Sequence, residues 1–283
     1  MNKQEITQAV RERYAGVAKQ NNSSCGCKPS ANTSSTCCGP SKTLSADDIS
    51  KGVGYSDAEM GSVPEGANLG LGCGNPLALA AVKKGDTVLD LGSGAGFDCF
   101  LASPRVGPKG KVIGVDMTPE MLDKARGNAL SGNYKNVEFR LGEIENLPVA
   151  DNTVDLIISN CVINLSQNKP RVFQEAFRVL KPGGKLMVSD IVLLAELPPG
   201  IKDSIAAYSG CIAGASQKSE YLDTIKTAGF KDVVVVEETV FPKDSMLNDP
   251  VVRAVIKEGD ISPAQVKKVA ASIVSVKVSA SKS

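Results

Sequence analysis

From residue 86 onward, short apolar runs alternate with amphipathic stretches. DTVLDL (86–91) is an apolar run closed by Gly-rich punctuation, which predicts a strand followed by a turn. Residues 97–103 predict a helix, and KVIGVDM (111–117) a second strand. TPEMLDKARGNA (118–129) opens as a helix should, with Thr118 as N-cap, Pro119 at the first helical position and Glu120 in the first turn. VEFRLG (137–142) and VDLIISN (154–160) predict a third and a fourth strand. An amphipathic helix over 170–180 leads through KPGG to a fifth strand, KLMVSDIV (185–192). Strands that alternate with helices predict a parallel, doubly wound α/β sheet.

The flanks are less regular. Residues 4–20 predict a short helix, and residues 21–45, rich in Ser, Asn, Thr, Gly and Pro, predict loop or tail. A further irregular, Gly-rich stretch runs to Pro76 and contains GLGCGNP. Beyond residue 200 the pattern predicts a helix over 201–215 carrying Cys211, and a helix over 219–230 ended by Gly229. A strand over 232–240 and a helix around 263–276 follow, before a polar tail, SASKS. Three regions result: 1–70, a Cys-rich lead-in; 71–200, a Rossmann-like domain; and 201–283, a smaller C-terminal substrate-binding region.

Composition narrows the chemistry. Charged residues are 22% and hydrophobic residues 42% of the 283, as in ordinary globular proteins. A net charge of +1 provides no basic field for nucleic acid. With no apolar run of spanning length and a polar start, MNKQEITQ, no membrane association is expected and a cytoplasmic location is. The chain has 8 cysteines and no histidine, which excludes histidine bases, histidine nucleophiles and Cys/His zinc sites. In a reducing cytosol such cysteines point to ligation or catalysis rather than to structural disulfides.

VLDLGSGAGFD (88–98) places Gly92, Gly94 and Gly96 between a strand and a helix, where a ligand approaches the backbone closely. Asp90 stands two residues before the first glycine, and Asp116 ends the next strand, at the distance of a ribose-binding carboxylate. With LGEIENLP and LKPGGKL, this set resembles the class I S-adenosylmethionine-dependent methyltransferases over about residues 80–195. A nicotinamide-binding Rossmann protein is the rival, but its glycine pattern ends G-x-x-G. The resemblance implies that Asp90, Gly92, Ser93, Gly94 and Gly96 hold the methionine part of the cofactor. It further implies that Asp116 binds the ribose, Met117 packs on adenine, and Glu143 meets the adenine amino group beside Ile144. Each has a plainer alternative: Asp116 as a helix cap, Met117 as core, Glu143 as a solvated loop acid.

The acceptor side carries thiols. Cys73 in GLGCGNP, Cys161 in SNCVINL and Cys211 in YSGCIAGA are each flanked by small or turn residues. Grouped thiolates suit a soft centre such as trivalent arsenic, which takes three sulfur ligands and keeps a lone pair. These stretches resemble the arsenite S-adenosylmethionine methyltransferases over about residues 50–230. The resemblance implies As(III) held by Cys161 and Cys211, with Cys73 a third ligand that also enters a disulfide relay. An N-terminal partner is implied too, with Cys37 or Cys38 preferred over Cys25 and Cys27, although four thiols there depart from the single-cysteine pattern. It implies arsenite or its thiol complexes as substrate, a thioredoxin- or glutathione-type reductant, and a monomer.

Plainer readings remain for these residues. Cys99 reads as a small buried hydrophobe. The four N-terminal thiols could clip a zinc ion, although CGC and CC are not the usual knuckle spacing. Asn160 and Asn164 read as turn-formers or as orienting groups, Asn160 toward the cofactor. Two other functions compete: methylation of a small organic acceptor such as a quinone, and non-enzymatic As(III) sequestration.

Overall fold

The computed structural model describes residues 3–20, 45–202, 204–240 and 269–283. Cys25, Cys27, Cys37 and Cys38 lie outside the described residues, and so does the loop expected over 21–45 apart from Ser45.

The apolar runs form the central strands. They are β1 (Thr87–Leu91), β2 (Lys111–Asp116), β3 (Val137–Leu141), β4 (Val154–Asn160) and β5 (Leu180–Leu193), all parallel in the order β3-β2-β1-β4-β5. Helices cover both faces. On one face α4 (Phe97–Val106) and α5 (Pro119–Ser131) pack on Val88, Val112, Leu156 and Ile158. On the other, α6 (Lys169–Val179) and α9 (Lys218–Thr227) pack on Leu89, Leu91, Ile157 and Val188. Tyr221 and Phe173, both fully buried, meet edge to face at 5.5 Å between these two helices.

Two strands complete the sheet. β6 (Lys231–Val240) forms the edge, and β7 (Ile273–Ser281) inserts antiparallel between β5 and β6. The helix expected around 263–276 is therefore corrected: 263–268 lie outside the described residues, 269–272 make one helical turn, and the chain then extends. IVSVKVSAS alternates β-branched or small apolar residues with Ser and Lys, a period of two that suits a strand. The tail expected at SASKS is thus strand as far as Ser281, and Lys282 donates from Nζ to the carbonyl of Leu180 at 2.8 Å.

Two more expectations change. The stretch before Pro76 holds two short helices, α2 (Ala46–Gly52) and α3 (Asp57–Gly61). Each opens on a reciprocal capping box, Ser45 with Asp48 and Ser56 with Glu59. The helix expected over 201–215 is instead α7 (Pro199–Lys202) and α8 (Ile205–Ser209). It stops because Cys211 adopts a left-handed backbone (φ 63°), which no right-handed helix accommodates. The N-terminal helix α1 (Lys3–Gln20) packs against α5 and α8, above the carboxyl ends of the strands. Among the described residues, no helix is long and apolar enough to cross a membrane.

Candidate active site

A cleft of about 340 Å³ opens over the carboxyl ends of β1, β2 and β4. The glycine loop enters it after β1. Gly92 is left-handed (φ 68°), and a Cβ there would lie 2.4 Å from Val162 Cγ2, so no side chain fits. Gly94, also left-handed, faces open space. Its N–H donates to Asp116 Oδ2 at 2.9 Å, while Asp116 Oδ1 accepts from Thr118 N–H at 2.8 Å. Asp116 therefore ties the glycine loop to the residue that opens α5. Thr118 occupies the N-cap position, but its own side chain makes no capping bond.

Asp90, Ser93, Met117, Glu143, Ile144 and Asn160 also line the cleft. Glu143 is half exposed and ion-pairs with Arg11 of α1 at 2.7 Å. Asp90 is buried and accepts the Cys99 thiol at 3.3 Å; burial, with Asp98 nearby, raises its pKa well above the usual carboxylate range. Cys99 is thus an inward-facing thiol of α4, as expected. Asp98 was not anticipated. It accepts Tyr55 Oη–H at 2.7 Å and the Asn160 amide at 3.3 Å, and burial pushes its pKa up to about 6. Two buried carboxylates at one wall make the cleft suited to a cationic ligand.

The thiols gather beside this cleft. Cys73 reaches the sheet on the loop before β1, where its N–H donates to Asn160 Oδ1 at 3.0 Å and its carbonyl accepts Ser275 Oγ–H at 2.8 Å. Both flanking glycines are sterically required: a Cβ on Gly72 would sit 2.6 Å from Asn160 Nδ2, and one on Gly74 1.9 Å from Ser189 Oγ. Cys161 ends β4 in a left-handed conformation (φ 59°), its N–H donating to the Ser189 carbonyl at 2.8 Å. Cys211 donates its thiol to the Cys161 carbonyl at 2.9 Å. Two non-glycine residues in the left-handed region thus meet in one site, each at a cost in backbone strain.

All three thiols are buried and free, in a shell that includes Ile191, Leu197, Ile201 and Ala207. Hydrogen bonding to Cys211 and then Cys73, followed by burial, raises the Cys161 pKa well above that of an ordinary thiol. Burial raises that of Cys73. Asn160 thus joins the two halves: its amide also donates to Gly74 O at 2.7 Å and to Tyr55 Oη at 2.9 Å. Two further groups were missed from sequence. Asp190 of β5 lies among the thiols, and burial pushes its pKa up to about 7. Tyr14 of α1 lines the cleft and hydrogen-bonds the Cys211 thiol; burial, then the charge of Cys211, raises its pKa well above the phenol range.

Five parallel strands carrying this glycine loop, completed by an antiparallel β7 beside β5, define a class I methyltransferase, and residues 82–229 match the methyltransferase-domain family. The solved structure of an arsenic(III) S-adenosylmethionine methyltransferase from Chlamydomonas reinhardtii is 32% identical, with a TM-score of 0.62 over 83% of this chain and 73% of that one. The chain belongs to the arsenite methyltransferase family. An arsenite methyltransferase of Halobacterium salinarum is 48% identical over 85% of this chain and 62% of its own length. For the human arsenite methyltransferase the figures are 38%, 56% and 44%. The chain therefore spans less than two thirds of the curated relatives it matches.

Proposed function

We propose that this protein methylates trivalent arsenic with S-adenosylmethionine, holding As(III) on Cys73, Cys161 and Cys211. The observation that carries the proposal is the convergence of three buried free thiols in one cluster beside a methyltransferase cleft, with Cys161 lining the cleft itself. The cofactor fits the residues present. Gly94 leaves open space beside the loop, and a cationic ligand would draw the carboxyl groups of Asp90 and Asp98, both of which line the cleft, into their ionised form. Asp116 is the candidate for the ribose, with Met117 and Ile144 supplying apolar cover for adenine. When bound, S-adenosylmethionine supplies an electrophilic methyl group.

The thiols perform the rest. Burial keeps Cys73 protonated before loading, and hydrogen bonding to its two thiol neighbours, with burial, does the same for Cys161. Exchange of three thiols onto arsenous acid releases three waters, so each thiol proton leaves on a hydroxide and no protein base is consumed. Arsenic bound by three sulfurs keeps a lone pair, and that pair is the nucleophile. This accounts for catalysis by a chain that has no histidine. The apolar shell around the thiols excludes water from the transfer. Closure of a protein disulfide supplies the two electrons that return arsenic to the trivalent state, and an external thiol reopens it. Cys37 and Cys38 remain the candidate relay partners.

The deciding assay incubates protein, arsenite, methyl-labelled S-adenosylmethionine and a thiol reductant. Label in methylarsenicals is the expected result. Label transferred only when a quinone acceptor replaces arsenite, or arsenite bound without turnover, would favour the two competing functions.

Asp98 gives the cofactor step a pH signature. Its pKa of about 6 leaves it neutral below that pH and ionised above. A cationic ligand favours the ionised form, so affinity for S-adenosylmethionine should rise as pH increases from 5 to 7 and then level off. The rise is limited to about tenfold per pH unit below the transition. Calorimetric titration of Asp98→Asn should give a flatter profile; an unchanged profile would assign the transition to another group.

A further inference from the structure

Arsenic held by three thiolates is neutral and needs no fourth donor, yet a carboxylate stands in the same cluster. A carboxylate oxygen of Asp190 and the Sγ atoms of Cys73 and Cys161 all lie within 4.8 Å of one another. Asp190 is only 1% exposed. Its orientation is fixed from several sides: Asn164 Nδ2 donates to Oδ1 at 2.8 Å, Ile191 N–H to Oδ1 at 3.0 Å, and Tyr221 Oη–H to Oδ2 at 3.1 Å. A carboxylate has about four acceptor sites, so three donors leave one for a further partner.

Two soft donors and one hard donor in a dry pocket match a borderline-soft divalent ion. Tetrahedral zinc, at about 2.3 Å from sulfur and about 2.0 Å from oxygen, sets its ligands roughly 3.5–3.8 Å apart. The cluster needs only a small contraction to meet that spacing. We propose that Cys73, Cys161 and Asp190 form a three-ligand binding site for a divalent cation of the zinc class. The proposal shares its thiols with the proposed arsenic trap but does not depend on methylation.

Loading expels one proton each from Cys73 and Cys161, with no change of oxidation state. Two thiolates neutralise the ion, and Asp190 leaves one negative charge, which Lys169 faces through an attractive interaction. Zinc and arsenite then exclude each other, because both need Cys73 and Cys161. Zinc is thus a reversible competitor of arsenite that shields both thiols from oxidation.

The test uses the full chain with Cys25→Ser, Cys27→Ser, Cys37→Ser and Cys38→Ser, so that the N-terminal thiols take no metal. Under reducing conditions, zinc affinity is read by competition with a chromophoric chelator and arsenite affinity by direct titration. One equivalent of zinc should bind. Asp190→Asn should weaken zinc about ten- to hundredfold while changing arsenite affinity less than about threefold, and Cys161→Ser should remove both. An unchanged zinc affinity in Asp190→Asn overturns the proposal, as does an equal loss of both ligands, which would make Asp190 a structural support for the thiols. Should that variant not fold, zinc K-edge absorption of the chain retaining Asp190 decides: a mixed sulfur and oxygen shell is expected, and an all-sulfur shell overturns the proposal. The outcomes are separable, since zinc binding without methylation refutes only the proposed function, and methylation without zinc binding refutes only this site.

Discussion

Cys161→Ser should reduce arsenic methylation by about 10³-fold or more, equivalent to about 4 kcal/mol of barrier, while leaving S-adenosylmethionine affinity within about twofold. Cys161 is the middle of the thiol cluster, hydrogen-bonded to both Cys73 and Cys211. Serine keeps the volume and the left-handed turn but replaces a soft donor with a hard one. Arsenic then has two sulfurs, a geometry that no longer fixes its lone pair. The proposed cofactor wall of Asp90, Asp98, Asp116 and the glycine loop is held by hydrogen bonds that do not involve the Cys161 sulfur. Cys73→Ser combined with Cys161→Ser should be scarcely worse than Cys161→Ser alone, because residues that act as one unit do not add. Labelled-methyl turnover and calorimetry measure the two quantities separately. Parallel loss of cofactor binding and turnover would mean that Cys161 holds the fold together instead.

Which parts of this site were legible in the sequence follows from how local their signals are. The central strands are buried on both faces, so they read as unbroken apolar runs and their ends are easily seen. The glycine loop and the cysteines with small neighbours were legible for the same local reason. Asp190 was not, although it repeats a visible pattern: β1, β2 and β5 all carry an aspartate at or near the end of an apolar run, as VLD, GVD and VSD. The α2 and α3 capping boxes, Ser-x-x-Asp and Ser-x-x-Glu, were likewise present in a stretch read as irregular because of its glycines. β7 is the harder case. Its strand state depends on pairing with β5 and β6, and its partners on β5 lie 80 to 96 residues away in the chain. A tertiary partner of that kind overrides the helical reading of the residues before it. Asp98, Tyr55 and Tyr14 matter through contacts across the cleft, which no spacing in the chain reports.

Gly74→Ala should lower catalytic efficiency toward arsenite by about 10²-fold, and adding Ser189→Ala should restore most of it. The added Cβ would lie 1.9 Å from Ser189 Oγ and 3.0 Å from Ser189 Cβ. Something must then move, and the backbone carrying Cys73 is held at only a few points, by Asn160 and Ser275. A shift of about 1 Å in the Cys73 sulfur is enough to misdirect the arsenic lone pair. Ser189 Oγ is buried and without a hydrogen-bond partner among the described residues, so its removal leaves no orphaned donor or acceptor. With Oγ gone, the remaining contacts are Ser189 Cβ at 3.0 Å and Lys277 Cε at 3.3 Å, which a few tenths of an ångström relieve. The rescue separates geometry from chemistry, because neither residue supplies a ligand. Cofactor affinity should stay near its original value in both variants, since Asp90 and Asp116 are untouched. Failure of Ser189→Ala to rescue would show that Gly74 serves the loop's own backbone conformation rather than its approach to β5.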